Sequence, residues 1–278
     1  MFYTAFQAHA YLHHIGLYSA KPDELANFYK TALSMKKVKS GSSWILKGNN
    51  RKLVISKGSK AAFSFAAFAC QDVGSLNLLK KNVLSKGVKI IEDNHSLFER
   101  QNFAILDHDK NKIYFGVSDK RKEPLSDLYG PLQHVTFSSK NVNNFTEFYR
   151  DVLGFRISDK VVNKDGDLTT CFMRSNQEHH TVACFLSKKV GLDHHSYEAG
   201  TWEEIKNWCD HFGKEKIELF WGPGRHGPGN NLFAFIEDSD KNKIEISAEL
   251  EIIHDRPIKI WPHEPRTLNL WGKAFMRS

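Results

Sequence analysis

Residues 132–158 read LQHVTFSSKNVNNFTEFYRDVLGFRIS, and residues 12–38 read LHHIGLYSAKPDELANFYKTALSMKKV. Both open on an alternating, strand-like pattern and cross a polar capping stretch. Both then enter an amphipathic helix with the same aromatic pair, Phe28-Tyr29 or Phe148-Tyr149. Further along, LDHDKNKIYFGV (106–117) matches EDSDKNKIEISA (237–248), the DKNKI string being identical. A fainter pair is AFACQDVGSLNLL (67–79) with YEAGTWEEIKNW (197–208), each a strand running into a helix. Three pairs in one order indicate a tandem duplication. The expected fold class is α+β, with strand, helix and then several strands repeated in each half. The boundary is expected in SDKRKEPLSDLYGPL (118–132), a charged stretch with two prolines and a glycine. That gives units 1–122 and 123–278.

The chain of 278 residues is 41% hydrophobic and 26% charged, the balance of a soluble globular protein. No apolar run approaches the roughly 18 residues of a membrane helix. The start, MFYTAFQAHAYLHHIG, has neither a basic n-region nor a continuous apolar stretch, so no signal peptide is expected. Four scattered cysteines without a CxxC pair suit reduced thiols in the cytoplasm. The net charge of +7 comes from lysines spread over the whole chain. Without an arginine-rich tract or a nucleic-acid module, neither a nucleic-acid nor a membrane partner is expected. A positive field is compatible with anionic small substrates.

The chemistry concentrates in the second copy. In QHVTFSS, strand alternation puts His134, Thr136 and Ser138 on one face. In KIEIS, Lys243, Glu245 and Ser247 share a face while Ile244 and Ile246 take the other. If the isoleucines pack under helices, Glu245 turns to the concave side, near His134. In DHHSYEA, His195 shares a face with Tyr197, and His194 points the other way. Two histidines and a carboxylate with positions left open form the donor set of non-haem iron(II) oxygenases. For any single one of the 14 histidines, a satisfied core residue is the ordinary alternative.

The second half resembles the catalytic half of type I extradiol ring-cleavage dioxygenases, of the vicinal oxygen chelate superfamily. The resemblance is carried by LQHVTF, HHTVA, DHHSYE and above all GPGRHGPGNNLFAFIEDSDKNKIEI (222–246). It covers nearly the whole chain, since that family also places an inactive module pair ahead of the active one. The fold it implies is tandem βαβββ modules forming two open-barrel halves. The metal ligands it implies are His134, His195 and Glu245. Of the HH pair, His195 is chosen because it directly precedes Ser196-Tyr197. His180 matches the acid/base histidine and His226 a histidine beside the substrate. The corresponding positions of the first half are taken as His14, Ala66 and Tyr114, so that half should bind no iron.

The implied activity is insertion of both atoms of O₂ into a catechol at one Fe(II), with Mn(II) as the other metal, in the breakdown of aromatic compounds. Phe235 stands where the family often has a tyrosine, so one substrate hydrogen bond is missing. Trp221 stands where relatives that bind a side-chain carboxylate carry arginine, which favours an apolar or aromatic substituent. In the C-terminal run IWPHEPRTLNLWG (260–272), Arg266 or Trp261 is expected to border the site mouth. A homo-oligomer is expected. Two other readings stand beside this one: a Lewis-acid, glyoxalase-type isomerase on the same fold, and a metal-free protein that sequesters aromatic ligands. The second requires no joint role for the three metal candidates.

Overall fold

The computed structural model describes residues 3–93, 95, 97–98, 101–118 and 128–276. The expected boundary at 122/123 lies outside the described residues, as does most of the stretch 118–132. In the first half, β1 (Tyr11–Ser19) leads into α1 (Pro22–Ala32), then β2 (Lys36–Ser40), β3 (Ser43–Gly48) and β4 (Arg51–Lys57). Next come β5 (Ala62–Cys70), α2 (Val73–Ser85), β6 (Asn102–Leu106) and β7 (Lys112–Val117). The second half runs β8 (Leu132–Ser139), α3 (Val142–Glu147) with a π-helical turn at Phe148–Val152, β9 (Arg156–Val162), β10 (Leu168–Arg174) and β11 (Val182–Leu186). It continues through β12 (Gly191–Gly200), α4 (Trp202–Lys214), β13 (Trp221–Arg225), β14 (Leu232–Glu237) and β15 (Lys243–Ala248). The tail adds β16 (Lys259–Pro262) and the short α5 (Pro265–Leu268).

Each half is one mixed sheet, so the chain is α+β. The first is ordered β2-β3-β4-β1-β5-β7-β6 and the second β13-β14-β15-β12-β8-β11-β10-β9-β16. Read backwards, the second order repeats the first, with β8 in the place of β1 and β12 in that of β5. Among the described residues, the first half shows no strand in the place of β13. Among the described residues, only Ile91 bridges there, to Ala104 of β6. Three of the four units thus have the expected strand–helix–three-strand form, and the fourth shows two strands after its helix among the described residues.

One continuous core runs through both halves and takes one face of each sheet together with the helices. Helix α1 shows why: Pro22 and the acidic Asp23 and Glu24 suit its N-terminus, and Leu25, Ala26, Tyr29 and Ala32 form its buried stripe. In α4, Thr201 caps the N-terminus, and Ile205, Trp208 and Phe212 face inward. The opposite sheet faces carry two smaller apolar clusters, one per half. The repeated DKN strings form matching turns. Asp107 accepts from the amides of Asp109 and Asn111, as Asp238 does from Asp240 and Asn242. Lys110 and Lys241 share a left-handed φ of 68°. No helix among the described residues is long and apolar enough to cross a membrane.

Arg51 joins the halves. Its side chain is fully buried. Nε donates to Leu33 O, and Nη1 to Leu128 O and Gly130 O, all at 3.1 Å. The guanidinium lies 5.4 Å from the Trp208 ring centre. Arg51→Met leaves three carbonyls short of a donor, at about 1–3 kcal/mol for each buried group that water does not reach. Urea denaturation should therefore show a loss of at least about 3 kcal/mol. A loss below about 1 kcal/mol would mean that water serves these carbonyls instead.

Candidate metal centre

Three adjacent strands of the second sheet bring the candidates together. Ser196 on β12 is paired with His134 on β8 and with Glu245 on β15, so all three residues point to one face. His194, two residues earlier, points the same way. His134, His194 and Glu245 are buried and present ligand atoms within 4.8 Å of one another.

This geometry corrects the expectation for His195. It is paired with Val135 and Ile244, both of which face the helix-side core. His195 is fully buried there, with Nε2 2.9 Å from the hydroxyl of Tyr29. Burial pushes its imidazole down to about 3. His194, which alternation assigns to the face opposite His195, is the residue that joins the cluster. The first-half counterpart shifts with it, from Ala66 to Phe65.

The donor atoms fit a cation. The Nε2 atoms of His134 and His194 lie 3.0 and 3.3 Å from Glu245 Oε2. His194 Nδ1 lies 2.6 Å from Asp193 Oδ1, which only accepts, so Nδ1 carries the proton. Gln133 donates its amide to Glu178 Oε1 at 3.1 Å and Glu198 Oε2 at 2.5 Å, which turns its carbonyl oxygen to His134 Nδ1 at 3.3 Å. In their neutral forms both histidines therefore present a bare Nε2 to a carboxylate oxygen. Lone pairs facing lone pairs in a buried site call for a proton or a metal ion between them. Burial raises the Glu245 carboxyl, and the contacts from His134, His194 and His226 outweigh it, holding it well below the carboxylate range. Burial lowers His134. Burial also opposes the charge on His194, but its bonds to Asp193 and Glu245 win and raise it.

His180 stands beside the cluster, its ring centre 4.2 Å from that of His134. Its Nδ1 is 2.9 Å from Nδ1 of His179. His179 Nε2 in turn stands 3.1 Å from Asp159 Oδ2, near enough to pair though off the line of an ideal hydrogen bond. Trp261 Nε1 donates to the same Oδ2 at 2.7 Å, and Arg256 Nη1 lies 2.9 Å from Oδ1. A proton on His179 Nε2 leaves its Nδ1 as acceptor, so His180 donates from Nδ1 and keeps Nε2 as a free base. Burial holds the His180 imidazole well below its ordinary value, hence neutral.

His226 Nδ1 donates to Leu268 O at 2.5 Å, while Nε2 is 3.4 Å from Glu245 Oε1. Its ring stacks on Phe233 with centres 4.0 Å apart. Asn231 Nδ2 donates to Glu245 Oε1 at 3.2 Å and Ser247 Oγ at 2.9 Å. Between these groups and the walls formed by Phe172, Phe185, Phe235 and Leu268 lies a pocket with about 400 Å³ of atom-free space. The pocket is a slot walled mainly by these aromatic rings.

Phe235 lines this slot. Trp221 does not. It stacks behind Phe235 at 5.3 Å and donates its indole N–H to Lys273 O. Arg266 is exposed on α5, and Leu268 from the same tail closes the pocket instead. Reading the sequence alone missed Gln133, Asp193 and the His179–Asp159 pair. The visible signal was that an amide or carboxylate directly precedes each histidine of the cluster, in QH and DH.

In the first half the corresponding positions hold no such cluster among the described residues. Phe65 stands in the place of His194, and a Cβ on Gly16, the counterpart of Thr136, would lie 2.2 Å from its ring. Tyr114, in the place of Glu245, donates to Asp93 at 2.5 Å. His14 is left with His13 and His95.

Residues 132–246 match the model of the Glyoxalase/Bleomycin resistance protein/Dioxygenase superfamily. Metapyrocatechase 2 of Cupriavidus necator is 29% identical over 122 residues, 44% of this chain and 37% of that protein. The iron-dependent extradiol dioxygenase of Rhodococcus jostii is 26% identical over 155 residues, 52% of this chain and 51% of that one. The matches thus span about half the length, or less, of these relatives. Among solved structures, homoprotocatechuate 2,3-dioxygenase of Arthrobacter globiformis superposes with a TM-score of 0.83 at 20% identity, covering 96% of this chain and 88% of that one. The Mn(II)-bound glyoxalase of Novosphingobium aromaticivorans gives 0.83 at 20%, covering 94% and 90%. At such identities these likenesses speak for the fold alone, and they do so over nearly the full chain. The sequence match to the Glyoxalase/Bleomycin resistance protein/Dioxygenase superfamily thus lies in residues 132–246, and the likeness of fold extends over nearly the whole chain.

Proposed function

We propose that the protein is an extradiol dioxygenase that opens a catechol ring with O₂ at one Fe(II) held by His134, His194 and Glu245. The observation that carries this reading is the buried His134–His194–Glu245 cluster with His180 beside it on the same apolar slot. The names of its relatives, metapyrocatechases and an iron-dependent extradiol dioxygenase, support it. Two imidazoles and one carboxylate suit Fe(II) and also Mn(II). When bound, the metal supplies a template for substrate and O₂ and a path for electrons between them. The protein's own groups do the rest. Asp193 and Gln133 hold the ligand imidazoles in the tautomer that offers Nε2. His180 Nε2 accepts a proton from a catechol hydroxyl and later returns one, and His179 and Asp159 fix its orientation. His226 borders the substrate, while Phe172, Phe185, Phe235 and Leu268 grip a flat ring and exclude water. Phe235 brings no hydroxyl, and Trp221 behind it brings no positive charge, which favours a catechol without a side-chain carboxylate. The four cysteines are free, in keeping with a reducing compartment such as the cytoplasm.

Purified anaerobically, the protein should contain about one iron per chain and turn a panel of catechols into yellow ring-opened products. Metal-free protein that still binds aromatic compounds would favour sequestration. Metal-dependent turnover of hemithioacetals without ring opening would favour the glyoxalase-type reading.

A further inference from the structure

Behind the metal candidates, on the helix side of the sheet, one hydroxyl from the first half reaches the second. Tyr29 OH on α1 lies 2.9 Å from Asp238 Oδ2 and 2.9 Å from His195 Nε2. Tyr29 and His195 are fully buried, and Asp238 is 3% exposed. The carboxylate only accepts, so Tyr29 donates to Asp238 and the phenol oxygen receives the Nε2 proton of His195. Asp238 is itself locked in its turn, with Oδ1 2.9 Å from the amides of Asp240 and Asn242 and Oδ2 2.8 Å from Asn242 Nδ2. That turn leads directly into β15, which bears Glu245. His195 is the neighbour of His194 on β12. A single phenol therefore pins both strands that supply these two ligand candidates.

The duplication provides a control within the molecule. Tyr149, the counterpart of Tyr29, donates to Asp107 Oδ2 at 3.2 Å, and Asp107 sits in a matching turn. The residue at the register of His195, however, is Ala66. It is paired with Ile15 and Ile113, as His195 is with Val135 and Ile244. The Tyr–Asp bond is thus common to both halves. The third member, the histidine, occurs only on the strand that carries a metal candidate.

We infer that Tyr29 is a positioning residue for the metal centre: through His195 and Asp238 it sets the rotation of β12 and β15, and so the aim of His194 and Glu245. The inference rests on the metal reading proposed above, and it gives the ligand-poor first half a direct part in the site. The mechanical argument is simple. Side chains alternate across a strand, so holding the inward residue from one side limits the roll that would swing its neighbour on the other.

The test compares Tyr29→Phe with Tyr149→Phe, each losing one buried hydroxyl to an equivalent aspartate. Chelator-stripped proteins are titrated with Co(II), whose visible absorption reports affinity and coordination, and melting temperature is read in parallel. Amide hydrogen exchange across His194–Ser196 is measured without metal. We expect both variants to melt lower. Only Tyr29→Phe should bind Co(II) about 10-fold or more weakly, the scale on which outer partners of metal ligands act. It should also shift the cobalt spectrum and speed exchange on β12. Equal cobalt affinities in the two variants would overturn the positioning role while leaving the metal reading intact. A wild-type protein that takes up no Co(II), and no Fe(II) either, would overturn both.

Discussion

His194→Ala abolishes metal uptake, whereas His195→Ala keeps it. This contrast between adjacent residues is the largest effect expected from the site. His194 offers its Nε2 toward Glu245, and Asp193 is committed to the other side of its ring. Removing it deletes one of three protein donors and takes the imidazole N–H away from Asp193. The affinity loss should exceed the 10–100-fold that outer-sphere changes cost. Glu245→Gln should behave similarly, because a neutral amide no longer compensates a divalent charge. His195 lies on the far face, bonded to Tyr29. Its replacement by alanine leaves a cavity and a lost hydrogen bond, worth about 2–4 kcal/mol of stability. Metal should still bind stoichiometrically, weakened about 10-fold by loss of the tether. Iron content and calorimetric titration of the two variants decide the matter. Loss of metal with His195→Ala and its retention with His194→Ala would reject the assignment.

The second large effect belongs to His180. In the proposed reaction His180→Asn and His180→Ala should retain metal and bind catechol, yet lose turnover by about 10²–10⁴-fold, the usual contribution of a positioned acid/base group. The slot supports the upper part of that range. Phe235 has no hydroxyl to share the work, and the other walls of the slot at Phe172, Phe185 and Leu268 carry none either. The neutral state of His180 follows from burial, so at neutral pH the base is ready without titration. Single-turnover kinetics at saturating catechol and O₂, with metal content measured on the same samples, is the check. Near-normal turnover would leave His180 as a packing residue of the pocket wall.

Much of this molecule is legible along the chain. The repeated strand–helix segments foretell two like sheets, and the identical DKNKI strings form like turns because Asp and Asn at fixed offsets bond the same backbone groups. The alternation of Glu245 with Ile244 and Ile246 places the carboxylate opposite the core, since a strand buried against helices must turn its apolar side to them. The same argument places His134. These conclusions need only the period of a strand and the identity of its apolar side.

The HH pair of β12 shows what that period leaves open. In His194-His195, alternation along β12 turns the two rings to opposite faces, but the flanking residues do not say which one enters the site. Around His194 and His195 the neighbours Asp193, Ser196 and Tyr197 give no clear apolar side, because Tyr197 is buried in the helix-side core and Ser196 in the site. The parity is decided by register: β12 lies between β8 and β15 with Ser196 opposite His134 and Glu245, and a slip of one residue would have exchanged the two histidines. Register depends on pairing between strands far apart in sequence, as do the partners Gln133, His179 and Tyr29. The repeated segments and the strand period are enough to read the duplicated fold and to turn His134 and Glu245 to one side of their sheet. The third candidate, and the first half's hold on it, were decided only when the strands were laid side by side.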